Sequence, residues 1–225
     1  MKKLIAFALA ATALAGAHPA SATQVFSSSY SGPNGSGQAS GGSYNYWDGS
    51  YSGSGSKTTD GAPLTGGSGD LTDGVIANDF WYNVENVAGT GPYVGWYTPR
   101  TSNPLITFNF SGNPAIDLVR IYLDNSRVGG VYAPGAILID GVSQAFTAPA
   151  GFGPVDLGGL NLTGGSHTVQ FGNNNGWVFV SEVQFFSSDS AVPEPGTWAL
   201  MLAGFAMIGF GMRRRSRGAA MVAAG

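Results

Sequence analysis

The sequence predicts an all-β fold, a β-sandwich made of short strands. Three observations predict it: glycine and proline are abundant, with 36 and 12 of the 225 residues; several short runs alternate apolar and polar residues with a period of two; and no segment carries a helical apolar stripe of three turns. Because the connections between strands lack helix patterns, a parallel βαβ architecture is not expected, and two packed antiparallel sheets are the natural solution.

The strand candidates lie in the middle of the chain and are separated by turn residues. In "LITFNF", Ile106, Phe108 and Phe110 fall on one face of a strand. An Asp140–Gly141 pair after the fourth candidate predicts a tight turn, and the Gly129–Gly130 and Gly158–Gly159 pairs are also interpreted as turns. The predicted strands are 93–97, 105–110, 116–123, 136–139, 167–171 and 177–186.

Residues 1–22 have the pattern of a secretory signal peptide, which is a helix removed on export. Lys2 and Lys3 give a basic start, residues 4–15 are apolar, and the small residues Ala20 and Ala22 predict cleavage after Ala22. The alternative is a buried N-terminal helix, which needs neither the basic start nor the small-residue exit.

The exported body is acidic and has no cysteine. Once the signal peptide and the C-terminal motif described below are set aside, four basic and twelve acidic residues remain, a net charge of about −8. This charge argues against nucleic acid or anionic lipid as a partner. Without cysteine, the exported protein has neither disulfides nor thiol chemistry.

Residues 23–69 are rich in Ser, Gly and Tyr and precede the segment assigned to the sandwich, 70–187. Composition alone predicts a flexible linker. Aromatic residues at alternating positions, including Tyr44, Tyr46 and Tyr51, favour instead a hairpin or extended strands packed on the main domain.

The C-terminal end combines a polar linker, 188–192, with a short motif, 193–217, and a tail, 218–225. Residues 197–212 carry no charge and as a helix would be about 24 Å long, a little short of a typical membrane core. The arginines at 213–217 follow directly and predict a transmembrane helix with its C-terminus in the cytoplasm and the body outside.

This order of elements resembles the PEP-CTERM sorting signal of Gram-negative bacteria. The resemblance implies recognition by an exosortase, a membrane protease or transpeptidase, with processing near the Pro-Glu-Pro and release to the cell surface or the extracellular matrix. The prolines keep this segment extended, as a protease substrate must be. A permanent single-span anchor is the alternative. The residues that carry the motif are Pro193, Glu194, Pro195, Trp198, Arg213, Arg214 and Arg215.

The stretch "GDLTDG" at 69–74 and the final strand "WVFVSEVQFF" resemble features of the galactose-binding-like jelly roll, the fold of discoidin-type domains. The resemblance implies a structural calcium held by the side chains of Asp73 and Glu182, with main-chain oxygens near Asp70 and Thr72 and a contribution from Asn78. Carboxylates and carbonyls suit a hard cation. The alternative is that Asp73 caps a turn and that Glu182 lies at the surface.

Aromatic residues and an arginine cluster in "DFWYNVENVAGTGPYVGWYTPR". Sugar rings stack on aromatic faces and arginine donates hydrogen bonds, so Trp81, Tyr82 and Arg100 are the candidate carbohydrate ligands. Core packing is the alternative, equally supported for Trp81 and Tyr82 and favoured for Trp96. The expected partner is the polysaccharide that exosortase systems accompany.

No catalytic constellation stands out, so we expect a non-enzymatic protein. His167 is the single histidine of the exported body, and its place at the start of a strand is ordinary. No Gly-x-Ser-x-Gly elbow stands between a strand and a helix, and no zinc-ligand cluster is present. The sequence thus predicts a carbohydrate-binding module; a matrix protein without a small ligand is the alternative, and a hydrolase is a minor one.

Overall fold

The computed structural model describes residues 22–37, 39–187 and, in the C-terminal tail, 201, 202, 204, 205 and 207. The predicted signal peptide, apart from Ala22, and the Pro-Glu-Pro and arginine parts of the C-terminal motif lie outside these residues. The chain divides into two units, Ala22–Ser188 and the two termini. The tail residues that are described are helical. Among the described residues, no helix has the length and apolar character needed to cross a membrane.

The described residues of the Ala22–Ser188 unit form eleven strands and two helices of four residues, so the predicted all-β class is confirmed. The helices are α1 (Ala39–Gly42) and α2 (Trp81–Val84). The strands are β1 (Thr23–Val25), β2 (Ser29–Pro33), β3 (Pro63–Gly67), β4 (Val94–Tyr97), β5 (Leu105–Asn109), β6 (Ala115–Asp124), β7 (Ile137–Ile139), β8 (Val142–Gln144), β9 (Phe152–Thr163), β10 (Ser166–Phe171) and β11 (Trp177–Ser187).

The strands form two antiparallel sheets, the arrangement of a β-sandwich. One sheet has the order β1-β11-β6-β9, with β4 also paired to β11, and the other has the order β3-β2-β5-β10-β7-β8. Apolar side chains from both sheets form one core cluster, which includes Phe108 of β5, Ile121 of β6 and Phe171 of β10. This core lies between the sheets because alternate residues of each strand face inward.

Strand β11 is covered on both faces, which explains its long apolar run. Val178 and Val180 belong to the core between the sheets. Phe179, between them in sequence, faces the other way and packs in a second cluster with Tyr46, Trp81 and seven other buried or partly buried aromatic or aliphatic residues. A register shift between Val180 and Glu182 interrupts the pairing of β11 with β6. A strand buried on both sides has no need of polar alternation.

Each of the six predicted strands is present to within one residue at either end. The turn predicted at Asp140–Gly141 joins β7 to β8, and both residues have positive φ, 48° and 78°. This is the backbone that a two-residue hairpin of type I′ requires.

The prediction of a turn at Gly158–Gly159 is wrong, because both glycines lie inside the twelve-residue β9. The pairing of β6 with β9 shifts register between Ile116 and Leu118, opposite these glycines, and Gly159 has a φ of 74°. A bulge therefore uses the glycine that sequence reasoning assigned to a turn.

Residues 23–69, for which packed strands were favoured over a linker, supply β1, β2 and β3. Tyr30, Tyr46 and Tyr51 are each at most 2% exposed. The compact unit thus extends beyond the 70–187 range assigned from sequence.

Candidate functional site

A cleft of about 480 Å³ opens where β4 ends and β11 begins. The pairing register places Tyr97 opposite Trp177, and their ring centroids are 5.1 Å apart. Two aromatic residues that are distant in sequence therefore stand side by side on neighbouring strands. We call this the Arg100 cleft; it is lined by Gly37, Ala39, Tyr97, Arg100, Gly129, Gly130, Asn175, Gly176 and Trp177.

Arg100 sits in the turn that follows β4, where its backbone N–H donates to the carbonyl of Tyr97. The carbon of its guanidinium lies 5.6 Å from the centroid of the Tyr97 ring. One guanidinium nitrogen lies 3.4 Å from a carboxylate oxygen of Asp60, and the side chain is 65% exposed. A guanidinium has five N–H donors in one plane, so most of them face solvent beside the aromatic rings.

Asp60 is held in place by groups other than Arg100. One carboxylate oxygen accepts from the backbone N–H of Gly37 at 2.7 Å and from the indole N–H of Trp47 at 2.9 Å. The second oxygen is the one that contacts Arg100. Asp60 is therefore a fixed anion that orients the arginine and balances its charge.

Glycines without side chains line one side of the Arg100 cleft. Gly129 has a φ of 64°, and a Cβ there would lie 2.9 Å from the Trp81 ring. A Cβ on Gly176 would lie 2.3 Å from the carbonyl oxygen of Gly130. Both positions need glycine because the chain approaches its neighbours closely.

Trp81 and Tyr82 have different environments, although they are adjacent. Trp81 is 7% exposed, and its ring makes edge contacts with Tyr44, Tyr46 and Phe179. It lies beneath the Arg100 cleft as part of the core, which matches the packing alternative. Tyr82 is 37% exposed and does not line this cleft.

Sequence reasoning missed Trp177 and Asn175 as parts of the site. Trp177 was assigned only to a strand, and its position as the first residue of that strand was the available signal, because strand ends border loop clefts. Asn175 has a φ of 61° and is exposed. Its backbone conformation could not be predicted without the turn that contains it.

The second predicted site, the loop at 69–74, does contact the final strand. A carboxylate oxygen of Glu182 accepts from the backbone N–H of Gly74 at 3.2 Å, and the N–H of Val183 donates to the carbonyl of Leu71 at 2.9 Å. Glu182 is 2% exposed, so the alternative that placed it at the surface is wrong. The other part of that alternative is confirmed, because a carboxylate oxygen of Asp73 accepts from the backbone N–H of Val75 at 2.8 Å and so caps the turn. Burial raises the pKa of Glu182 to about 8, and the negative charge of Asp73 adds to this effect.

The donors of this loop fit an oxygen-preferring cation. Glu182 is buried, the charge of the exposed Asp73 carboxylate acts on it, and the Thr72 hydroxyl is buried without a hydrogen-bond partner. The described residues contain no group of three or more His, Cys, Asp and Glu side chains placed around one point. An ion at this loop would therefore take two carboxylates and complete its shell with main-chain oxygens, a hydroxyl or water.

Another group of acids surrounds a second cleft, of about 590 Å³, which we call the acid cleft. Asp70 lines it, and its carboxylate accepts from the Ser50 hydroxyl. Asp48 is 1% exposed and accepts from the Tyr30 hydroxyl and from the N–H of Asp70. The other lining residues are Gly49, Ser50, Asp73, Val75, Ile76, Ala77, Asn78, Val84, Ala88, Gly89, Thr90, Gly91 and Pro92.

Burial shifts the acids around this cleft toward their protonated forms. It raises the pKa of Asp70 to about 7, with a further rise from the charge of Asp48. It raises the pKa of Glu85 to about 8, against the lowering effect of a hydrogen bond from the N–H of Tyr93. No sequence motif pointed to Asp48 or Glu85, because neither has a characteristic neighbour in the chain.

His167 pairs with Asp140 through its Nδ1, at 2.7 Å. Burial opposes ionisation of Asp140, but hydrogen bonds from the Thr168 N–H and from His167 outweigh it and hold the pKa of Asp140 below its usual value. His167 is 4% exposed, and its Nε2 is buried without a partner. Neither ring nitrogen therefore faces solvent.

The C-terminal motif and the β-sandwich are each similar to known proteins, but to different ones. Residues 191–215 match the PEP-CTERM protein-sorting motif, so the predicted motif is confirmed. No curated protein matches the chain by sequence.

Similar solved structures include lectin domains. The structure of SpGH29 is 15% identical with a TM-score of 0.33, covering 54% of this chain but about a quarter (24%) of the other. A mutant lectin-binding domain of lectinolysin, complexed with Lewis b, is 13% identical with a TM-score of 0.38, covering 53% and 82%. A fucolectin from striped bass (Morone saxatilis) serum is 11% identical with a TM-score of 0.33, covering 71% and 72%.

Proposed function

We propose that this protein is an exported carbohydrate-binding protein and that the Arg100 cleft is its binding site. The observation that carries the proposal is the juxtaposition of the Tyr97 and Trp177 rings with an exposed guanidinium. Aromatic faces stack on the apolar faces of sugar rings, and the guanidinium donates to the hydroxyl groups around their rim. Glycine walls leave room for a chain of sugars to pass.

The charge of the cleft favours a neutral polysaccharide. Arg100 and Asp60 balance one another, and the remaining lining residues carry no charge. The exported body, at about −8, would repel a strongly acidic polymer over a Debye length of about 8 Å at physiological salt.

A polysaccharide array and pull-down assay with the full-length protein in detergent tests this proposal. Arg100→Met removes the guanidinium but keeps the aliphatic stem, and we expect affinity for neutral glycans to fall about tenfold or more, the value of a hydrogen bond to a charged group. Arg120→Met is the matched control, since Arg120 pairs with Asp156.

The outcome also separates the alternatives. If Tyr82→Ala abolishes binding while Arg100→Met does not, the sugar binds on the exposed Phe80–Tyr82 stack, whose rings are 5.5 Å apart, and the cleft is excluded. A blank array across neutral and acidic polysaccharides refutes carbohydrate binding and favours a structural matrix protein. Hydrolysis of any bound glycan would contradict our proposal that the protein is not an enzyme.

For the C-terminal motif we propose processing by an exosortase in a Gram-negative bacterium. The apolar helix at 197–212 would hold the protein in the inner membrane with its C-terminus in the cytoplasm, until cleavage near Pro193–Pro195 releases the body to the surface. Mass spectrometry of the exported protein tests this. An intact C-terminal peptide containing Arg213 would show a permanent anchor instead.

We also propose a structural calcium ion at the 69–74 loop, held by Asp73 and Glu182 with main-chain oxygens near Asp70 and Thr72. It would neutralise the buried Glu182 and tie the loop to β11. Isothermal calorimetry on chelator-treated protein should show calcium binding that Glu182→Gln removes. Calcium binding that is unchanged in Glu182→Gln would refute this site.

A further inference from the structure

A second cleft, of about 460 Å³, adjoins the Arg100 cleft. It lies at the turn between β4 and β5, and Asp60, Thr101, Ser102 and Asn103 are among the residues that line it. We call it the Asn103 cleft. Among the described residues, Arg100 is the one that lines both clefts. Each cleft has a volume in the usual range for ligand pockets, about 300–1,000 Å³.

The Asp60 carboxylate connects the walls of the two clefts. Asp60 lines the Asn103 cleft, and one of its oxygens contacts the Arg100 guanidinium at 3.4 Å. Its other oxygen accepts from the backbone N–H of Gly37 at 2.7 Å, and Gly37 lines the Arg100 cleft. One carboxylate therefore holds Arg100, the residue that both clefts share, and a wall residue of the Arg100 cleft.

A series of hydrogen bonds between asparagines connects the two clefts a second time. Asn103 has a φ of 49°, a backbone conformation that asparagine adopts more readily than most residues. Its side-chain oxygen accepts from the backbone N–H of Asn173 at 2.8 Å. The side-chain oxygen of Asn173 accepts from the N–H of Asn175 at 2.6 Å and from the Thr98 hydroxyl at 2.7 Å. Because Asn175 lines the Arg100 cleft, the turns that border the two clefts are fixed relative to one another.

The Asn103 cleft presents polar groups that no described residue uses. The hydroxyls of Thr101 and Ser102 and the side-chain nitrogen of Asn103 make no hydrogen bond within the described part of the chain. Ser102 and Asn103 are exposed, and Thr101 is half-buried. A Cβ on Gly61 would lie 3.1 Å from the Thr101 hydroxyl oxygen, so glycine leaves that hydroxyl uncovered. Hydroxyl groups both donate and accept, which suits the hydroxyls of a sugar.

The charge of the Asn103 cleft is also balanced. Asp60 and Arg100 are the charged residues among the described residues that line it, and they pair with each other. Like the Arg100 cleft, it therefore favours a neutral ligand with many hydroxyl groups.

We propose that the two clefts are neighbouring subsites of one groove, and that the protein binds an extended neutral polysaccharide chain that crosses Arg100. This inference rests on the proposed binding of carbohydrate at the Arg100 cleft. One part of the chain stacks on Tyr97 and Trp177, and the following sugars exchange hydrogen bonds with Thr101 and Ser102. Arg100 donates to sugars in both clefts, because a guanidinium has five N–H donors.

Two linked subsites make affinity depend on chain length. A monosaccharide fills one cleft and makes one set of contacts. Once part of a longer chain is bound in the Arg100 cleft, binding in the Asn103 cleft becomes intramolecular and adds to the affinity. The groove thus selects long chains over single sugars.

Isothermal calorimetry on the full-length protein in detergent tests this inference, with oligosaccharide ladders cut from neutral glucans, mannans and galactans as probes. In the wild type, affinity should rise with chain length until both clefts are filled. The double variant Thr101→Val/Ser102→Ala removes two hydroxyls of the Asn103 cleft and leaves the residues of the Arg100 cleft unchanged. We expect it to bind disaccharides as the wild type does and the longest oligosaccharides about tenfold more weakly.

The matched control is Ser143→Ala/Thr163→Val. It removes two exposed hydroxyls, on β8 and β9, that line neither cleft, and it should match the wild type at every chain length. If the Thr101→Val/Ser102→Ala variant melts at a lower temperature than the wild type, Ser102→Ala alone decides by the same criterion, because Ser102 is exposed.

The inference and the proposed function fail in different ways. If the wild type binds a disaccharide as tightly as the longest oligosaccharide, or if the double variant binds the longest oligosaccharide as tightly as the wild type, the Asn103 cleft is not a subsite. Carbohydrate binding at the Arg100 cleft then stands alone. If the wild type binds none of the ladders, the proposed function is refuted, and the extended groove is refuted with it.

Discussion

Phe179 connects the sandwich to the Arg100 cleft, and its replacement by alanine gives a quantitative prediction. Its side chain is 1% exposed on the outer face of β11. Its ring centroid lies 4.5 Å from that of Tyr46, 5.7 Å from that of Trp177, 5.8 Å from that of Trp81 and 6.0 Å from that of Tyr93. Four aromatic neighbours therefore lose a partner at once.

The expected cost follows from burial and from these ring contacts. A buried Phe→Ala change costs about 3–5 kcal/mol, and aromatic pairs contribute about 0.5–1.5 kcal/mol each beyond their buried area. With four pairs we expect the upper end, about 4–5 kcal/mol. At about 2–4 °C per kcal/mol for a domain of this size, the melting temperature falls by roughly 8–20 °C.

Thermal and urea denaturation of three Phe→Ala variants test this reasoning. Phe185 is 1% exposed between the sheets and should cost about 3–5 kcal/mol. Phe152 is 38% exposed and should cost less than about 1 kcal/mol. At a temperature where all three are folded, the Phe179 variant alone should lose glycan binding, because it alone removes a ring that packs against Trp177. A Phe179→Ala cost near that of Phe152→Ala would refute the reasoning.

Three further predictions concern backbone approach, a buried hydrogen bond and pH. Gly95→Ala places a Cβ 2.3 Å from the Phe179 ring and should cost about 1–3 kcal/mol by overpacking; an unchanged melting temperature would contradict this. Tyr30→Phe removes the hydroxyl that donates to the buried Asp48 and should cost about 1–3 kcal/mol in urea unfolding; a neutral effect would mean that this hydrogen bond is not made. The lowered pKa of Asp140 means that its stabilisation is present above its unfolded pKa, about 3.8, and is lost as pH falls through the lower folded value. Asp140→Asn should therefore be less stable than wild type at pH 6 and lose less stability on acidification; parallel pH curves would contradict this.

Most strands could be predicted from the sequence because local pattern reports burial. Period-two alternation in β5 follows from one buried and one half-exposed face. β9 escaped prediction because Pro154 and the Gly158–Gly159 pair break the pattern. Those residues are tolerated because β9 ends its sheet and pairs with β6 through a bulge.

The candidate sites were predictable only where neighbours in the chain form them. The 69–74 loop is one short stretch, and its partner Glu182 could be named through a family resemblance. The burial of Trp81 could not be predicted, because the residues that cover it, Tyr44 and Tyr46, lie on a segment that is distant in the sequence. The composition of that segment, 23–69, was also compatible with a flexible linker.

The sequence by itself determined the sorting motif and the all-β class, because both depend on patterns in consecutive residues. The motif consists of a proline pair, an apolar run and a cluster of arginines, and the strands show apolar and polar residues alternating with a period of two. Only the tertiary structure decided which residues share a site. Trp177 meets Tyr97 through strand pairing across 80 positions, and Arg100 lines the same cleft. Asp70 and Gly91 line another cleft through packed loops. Pairing and loop packing depend on the whole chain burying its apolar surface at once, and no local pattern encodes that.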